Sequence, residues 1–153
     1  MLRSRLRLII ALAAFLCASC GGSDTYQPTE LELVRISAWW PTLDRREAYV
    51  VRSDSEWQAV WQLHEPPTYP RSERPSVDFG RTMVLGITQG SGSNGCYSLA
   101  IRRVVEEEAE LRVEYRSFEP NPTFICTLSI VPLTDFVKVP KSDKPVYFMR
   151  TSR

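Results

Sequence analysis

Histidine is almost missing from this sequence: His64 is the only one among 153 residues. Near-neutral acid–base chemistry therefore has one natural candidate, and a histidine-rich metal centre is excluded. An excess of either charge is missing too, with 19 lysines and arginines against 18 aspartates and glutamates, so no basic surface suited to nucleic acid is predicted. No apolar run reaches the about 20 residues that a spanning helix needs. There is no internal repeat, and no glycine-rich segment carries the lysine of a phosphate loop, so no cofactor is expected.

What is present at the start is an export pattern. Residues 1–7 hold Arg3, Arg5 and Arg7 with no acid, residues 8–16 are wholly apolar, and Cys17-Ala18-Ser19 are small. That is the order of a secretory signal. A signal ending in small residues before a cysteine resembles the bacterial lipobox, here Ala18-Ser19-Cys20 followed by Gly21-Gly22-Ser23-Asp24. Cys17 stands where that pattern usually has leucine, and Phe15 and Leu16 are too bulky for cleavage before Cys17 itself. The expectation is a signal peptide over 1–19 and an acylated Cys20 that anchors the protein to a membrane of the bacterial envelope. The residue after Cys20 is not aspartate, which by resemblance to sorting patterns points to the outer membrane or cell surface. An ordinary signal with an unmodified Cys20, or an uncleaved anchor, are the alternatives. Cleavage removes three arginines and no acid, leaving a net charge of about −2.

Residues 20–30 are small, polar and proline-bearing, the composition of a short tether. A domain over 31–153 follows. Leu31, Leu33, Val34 and Ile36 suggest a first strand, and 48–51 a second. One helix is predicted over 54–64: Ser53 and Glu56 form a capping box, and Trp57, Val60, Trp61 and His64 share a face. Four prolines between 65 and 75 make an extended connection. Residues 82–88 are apolar on both faces, as in a central strand. A glycine- and serine-rich loop over 89–95 turns the chain into strands that alternate through Tyr97, Leu99 and Ile101 and through Leu111, Val113 and Tyr115, joined by the acidic turn Glu106-Glu107-Glu108. Residues 124–131, 136–139 and 146–149 supply the remaining strands. The fold class is mostly β within α+β: a small antiparallel sheet or barrel-like domain with one amphipathic helix packed on it.

Few residues could carry chemistry. Cys96 and Cys126, both beside predicted strands in an exported chain, are expected to form a disulfide, with two free buried thiols or a redox or metal role as the alternatives. Their spacing is not C-x-x-C and no histidine is near. His64 suits the end of its helix structurally. A hydrolase would need it with Ser91 or Ser93, yet no strand-turn-helix frame for a nucleophile is present. Ser91, Ser93 and Asn94, on the glycine-rich loop, are candidates for partner contact, as are the adjacent Trp39 and Trp40 before Pro41.

Over residues 53–148 the chain resembles the C-terminal domain family of PrcB, the accessory lipoprotein subunit of a bacterial surface protease complex. The marks, in order, are Trp57 and Trp61 on the helix, Val77-Asp78-Phe79 before a strand, Gly95-Cys96-Tyr97-Ser98-Leu99-Ala100-Ile101 after the glycine loop, and Phe136-Val137-Lys138-Val139-Pro140-Lys141 ahead of Pro145-Val146-Tyr147-Phe148. Cys96 replaces a glycine common in the family, and the stretch between Ile130 and Phe136 is a residue longer. The resemblance carries no catalytic residue. It implies a non-enzymatic, lipid-anchored module that binds an envelope or secreted protease. A protease inhibitor presenting Glu119-Pro120-Asn121-Pro122, and a small hydrolase, are the rival expectations.

Overall fold

The computed structural model describes residues 26–38, 45–64 and 73–152. They form β1 (Thr29–Glu30), β2 (Val34–Arg35), β3 (Arg46–Val51), α1 (Asp54–His64), β4 (Thr82–Gly92), β5 (Ser98–Glu106), β6 (Leu111–Phe118), β7 (Val131–Pro140) and β8 (Val146–Arg150). Two four-stranded sheets result, in the orders β1-β5-β6-β8 and β2-β7-β4-β3. The fold is thus mostly β with one helix, and no barrel closes. All pairings are antiparallel except β6 with β8.

Strand β4 shows why the layers stack as they do. Met83, Leu85 and Ile87 point to one side and join Ile101, Val104, Leu111, Val113, Val137 and Val139 in a core between the sheets. Val84 points to the other side, where Tyr49, Val51, Trp57, Val60, Trp61 and Phe136 form a second core under α1. A strand covered on both faces has no polar side to show. Gly86 is required here, because a Cβ would run into the ring of Phe136. That ring packs against Tyr49, Trp57 and His64 at centroid distances of 5.5, 5.7 and 5.3 Å.

Helix α1 begins as its capping residues dictate. Glu56 N donates to Ser53 Oγ at 3.3 Å, and Glu56 Oε2 accepts from Ser53 N at 3.1 Å and from Arg52 N at 2.6 Å. Those bonds hold the Glu56 carboxyl below its usual range, the Arg52 amide contributing most.

A polar staple joins the sheets. In β5 the register shifts between Ile101 and Arg103, leaving Arg102 as an extra residue. The freed Ile101 N–H donates to Asp135 Oδ2 on β7 at 2.7 Å. Arg35 on β2 pairs with the same carboxylate and donates to Ile101 O at 3.0 Å. Asp135 is buried, so these bonds replace the water it has lost.

Three stretches differ from the sequence-based expectation. Chain pairing begins at Thr29, inside the segment read as tether. Strand β4 continues to Gly92, so only 93–97 remain as connection; a bulge between Thr88 and Ser91, with Gly90 at φ 89°, carries the strand through the glycines. Residues 124–130 form no strand. Their apolar side chains mimic strand patterning, but Pro120 and Pro122 precede them and a disulfide holds them off the sheets.

Candidate functional site

The two connections 93–97 and 119–130 meet at one end of the sandwich. Cys96 and Cys126 form a disulfide with Cα atoms 5.6 Å apart. Beside it Gly95 N donates to Thr127 O at 3.0 Å. Asn94 Oδ1 accepts from Cys96 N at 3.0 Å, so the Asn94 side chain shapes the turn. Asn121 does the same opposite, accepting from Thr123 N through Oδ1 at 3.2 Å and from Phe124 N through its carbonyl at 2.9 Å. Irregular backbone is thereby held in one shape without a ladder.

That held backbone presents apolar side chains to solvent. Ile125 and Leu128 are fully exposed, Ile130 is 69 % exposed and Phe124 57 %. Phe124 sets its ring edge-on to Phe118 at 6.2 Å. From Pro120 to Thr134 there is no charged residue. Exposed apolar groups this concentrated make the loop a candidate interaction surface, and covering one aliphatic side chain contributes about 1.5–3 kcal/mol.

Next to the loop lies a polar cleft of about 420 Å³ between the sheets, lined by Arg46, Gln89, Ser91, Ser93, Tyr97, Ser117, Glu119, Leu133 and Arg150. Ser91 and Ser93, two of the partner-contact candidates, are exposed here. A Cβ on Gly92 would collide with Tyr97, so glycine at 92 lets that side chain lie on the β4 backbone. Tyr97 Oη donates to Glu119 Oε1 at 3.5 Å, and Arg150 donates to Ser117 O at 3.3 Å. Another cleft, of about 330 Å³ beside β2 and β7, sets Glu32 and Asp78 against Arg81 and Lys138 and so selects no charge.

His64 lies elsewhere, fully buried beneath α1 with Nε2 3.2 Å from Tyr49 Oη. Burial, then the charge of Arg45, lowers its pKa to about 4, with Glu47 opposing. Burial and a hydrogen bond to Glu47 push Tyr49 up to about 12. The structure therefore brings neither Ser91 nor Ser93 to His64: the serines line the cleft, and the histidine belongs to the core under the helix. Its place is set by packing with Tyr49 and Phe136. Among the described residues no group of three or more His, Cys, Asp or Glu could hold a metal ion.

Cys20, Trp39 and Trp40 lie outside the described residues. Among the described residues no helix is long and apolar enough to cross a membrane. Sequence reasoning missed Phe124, Ile125 and Leu128 as presented side chains, although the fifteen uncharged residues from Pro120 to Thr134 were a readable signal. It also missed Arg46 and Arg150, which only the strand order brings together. Searches with family models, curated proteins and solved structures find no match to the chain.

Proposed function

We propose that the chain is a non-catalytic module of the bacterial envelope, anchored by an acylated Cys20, that docks a partner protein with its disulfide-tied end. The observation that carries this reading is the full exposure of Ile125 and Leu128 on backbone that Cys96 and Cys126 hold in place. A pre-shaped loop loses little freedom on binding. Placement supports it too. Tyr26 Oη donates to Glu106 O at 3.0 Å, so the chain enters the domain at the Glu106 end of β5. The tied loops lie at the Ser98 end, roughly 25–30 Å away along the strand. A lipid tether at one end would leave the other turned towards partners.

The PrcB-like marks make a secreted protease the partner of choice, with the module as its accessory or stabilising subunit. A second reading, protease inhibition, is favoured by one specific feature: a disulfide-held loop with exposed aliphatic side chains is shaped to enter an apolar specificity pocket. Incubation with secreted proteases of the same envelope separates the two. Longer protease lifetime, lost on Leu128→Asp, supports the accessory role; loss of proteolytic activity, restored by the same substitution, supports inhibition. No effect on lifetime or activity refutes both.

A further inference from the structure

The polar cleft has more donors than its own side chains use. Arg46 opens β3 and Arg150 closes β8, so the two arginines come from edge strands of opposed sheets and line one cleft. The Arg46 guanidinium has no ion pair or hydrogen bond among the described residues, and the Arg150 guanidinium donates only to the Ser117 carbonyl. The hydroxyls of Ser91 and Ser93 stand beside them with no bond of their own. The single acid on the lining, Glu119, accepts from Tyr97.

The backbone of β4 is shaped for this arrangement. Glycine inside a strand weakens it and marks a bulge or a close approach. Both occur here: Gly90, at φ 89°, sits in the bulge that precedes Ser91, and Gly92 admits Tyr97 against the strand. Bulges re-aim side chains next to binding sites.

We propose that this cleft is a carboxylate subsite, taking the acidic group of a partner peptide whose apolar neighbour packs on the tied loop. The inference rests on the reading that this end docks a protein. A guanidinium fork matches the two oxygens of a carboxylate. Two arginines against one glutamate leave one net positive charge, which the single charge of a carboxylate neutralises. The carboxylate comes from a chain terminus or from an Asp or Glu side chain.

The test is saturation-transfer difference NMR on the exported, detergent-solubilised protein, with protein-free micelles as the blank. Three peptides are titrated: acetyl-Ser-Ala-Leu with a free terminus, the same peptide as its amide, and acetyl-Ser-Asp-Leu amide. One of the two acidic peptides binds about tenfold more tightly than the neutral amide, and Arg46→Gln or Arg150→Gln removes that preference. Which acidic peptide wins identifies the source of the group. Equal binding of acid and amide, or a preference that survives both substitutions, overturns the subsite. Leu128→Ser separates the two claims. Amide binding that depends on Leu128, with no acid preference, overturns the subsite and leaves loop docking standing. Acid binding lost with Arg46→Gln yet indifferent to Leu128→Ser supports the subsite and removes the loop.

Discussion

Replacing Asp135 by alanine tests the inter-sheet staple. The substitution leaves the Ile101 N–H, now satisfied at 2.7 Å, buried between the sheets without an acceptor. A buried unsatisfied donor costs about 1–3 kcal/mol. It also strips Arg35 of its carboxylate, but the Arg35 side chain is 43 % exposed, so water takes over much of that role, and the pair adds no more than about 1 kcal/mol. The expected loss is about 1–4 kcal/mol, a large fraction of the about 5–15 kcal/mol that holds a domain folded. Asp135→Asn keeps an oxygen for Ile101 N and should cost about half as much, and Arg35→Ala only about 1 kcal/mol. Urea unfolding of residues 21–153, followed by tryptophan fluorescence with the disulfide oxidised, gives these values from the midpoints. A loss below about 1 kcal/mol for Asp135→Ala, or equal losses for Ala and Asn, would refute the reasoning.

Other perturbations reach other parts of the structure. His64 is buried and titrates at about 4, against 6.5 when free. Between those values the unfolded chain binds the proton and the folded chain does not, so stability contributed by neutral His64 is full above pH 6.5 and falls by about 3 kcal/mol towards pH 4; the difference between wild-type and His64→Leu stability curves should show this slope, and parallel curves would contradict it. Gly86→Ala forces a Cβ into Phe136 and should destabilise by about 1–3 kcal/mol in thermal unfolding, whereas an unchanged midpoint would mean that the ring is free to move. Joint replacement of Cys96 and Cys126 by serine removes a cross-link over 30 residues and should cost about 3–4 kcal/mol on the chain-entropy model, measurable by the same urea titration. Leu128→Ser, at a fully exposed site, should move stability by no more than about 0.5 kcal/mol while weakening partner capture, and a large stability loss would show that Leu128 is packed.

How much of this could be read beforehand depended on whether the signal was local. Helix α1 was legible to the residue, because Ser53 and Glu56 mark its start and the apolar positions from Trp57 to His64 trace one face. The double-sided burial of β4 followed from residues 82–88, and the pairing of Cys96 with Cys126 from their placement beside predicted strands behind a signal-like N-terminus. Residues 124–130 misled because alternation reports periodicity and not the presence of a sheet to receive it. The extension of β4 through Gly92 was hidden because glycine and serine read as loop, while here Gly90 serves a bulge and Gly92 a close contact. Asp135 gave no sign in sequence that it would serve Ile101 and Arg35, since that need arises from a bulge on another strand. The cleft was half visible. Ser91 and Ser93 stood out beside glycine, but Arg46 and Arg150 converge only through the order of the two sheets.

The docking claim is tested most directly by a photo-crosslinking residue at position 125 or 128 of the full-length protein in intact cells, with position 108, beside the Glu106 end of β5, as the control. A discrete protein adduct formed from 125 and 128 and absent from 108 is the predicted result. Adducts formed equally at all three positions, or only at 108, would contradict it.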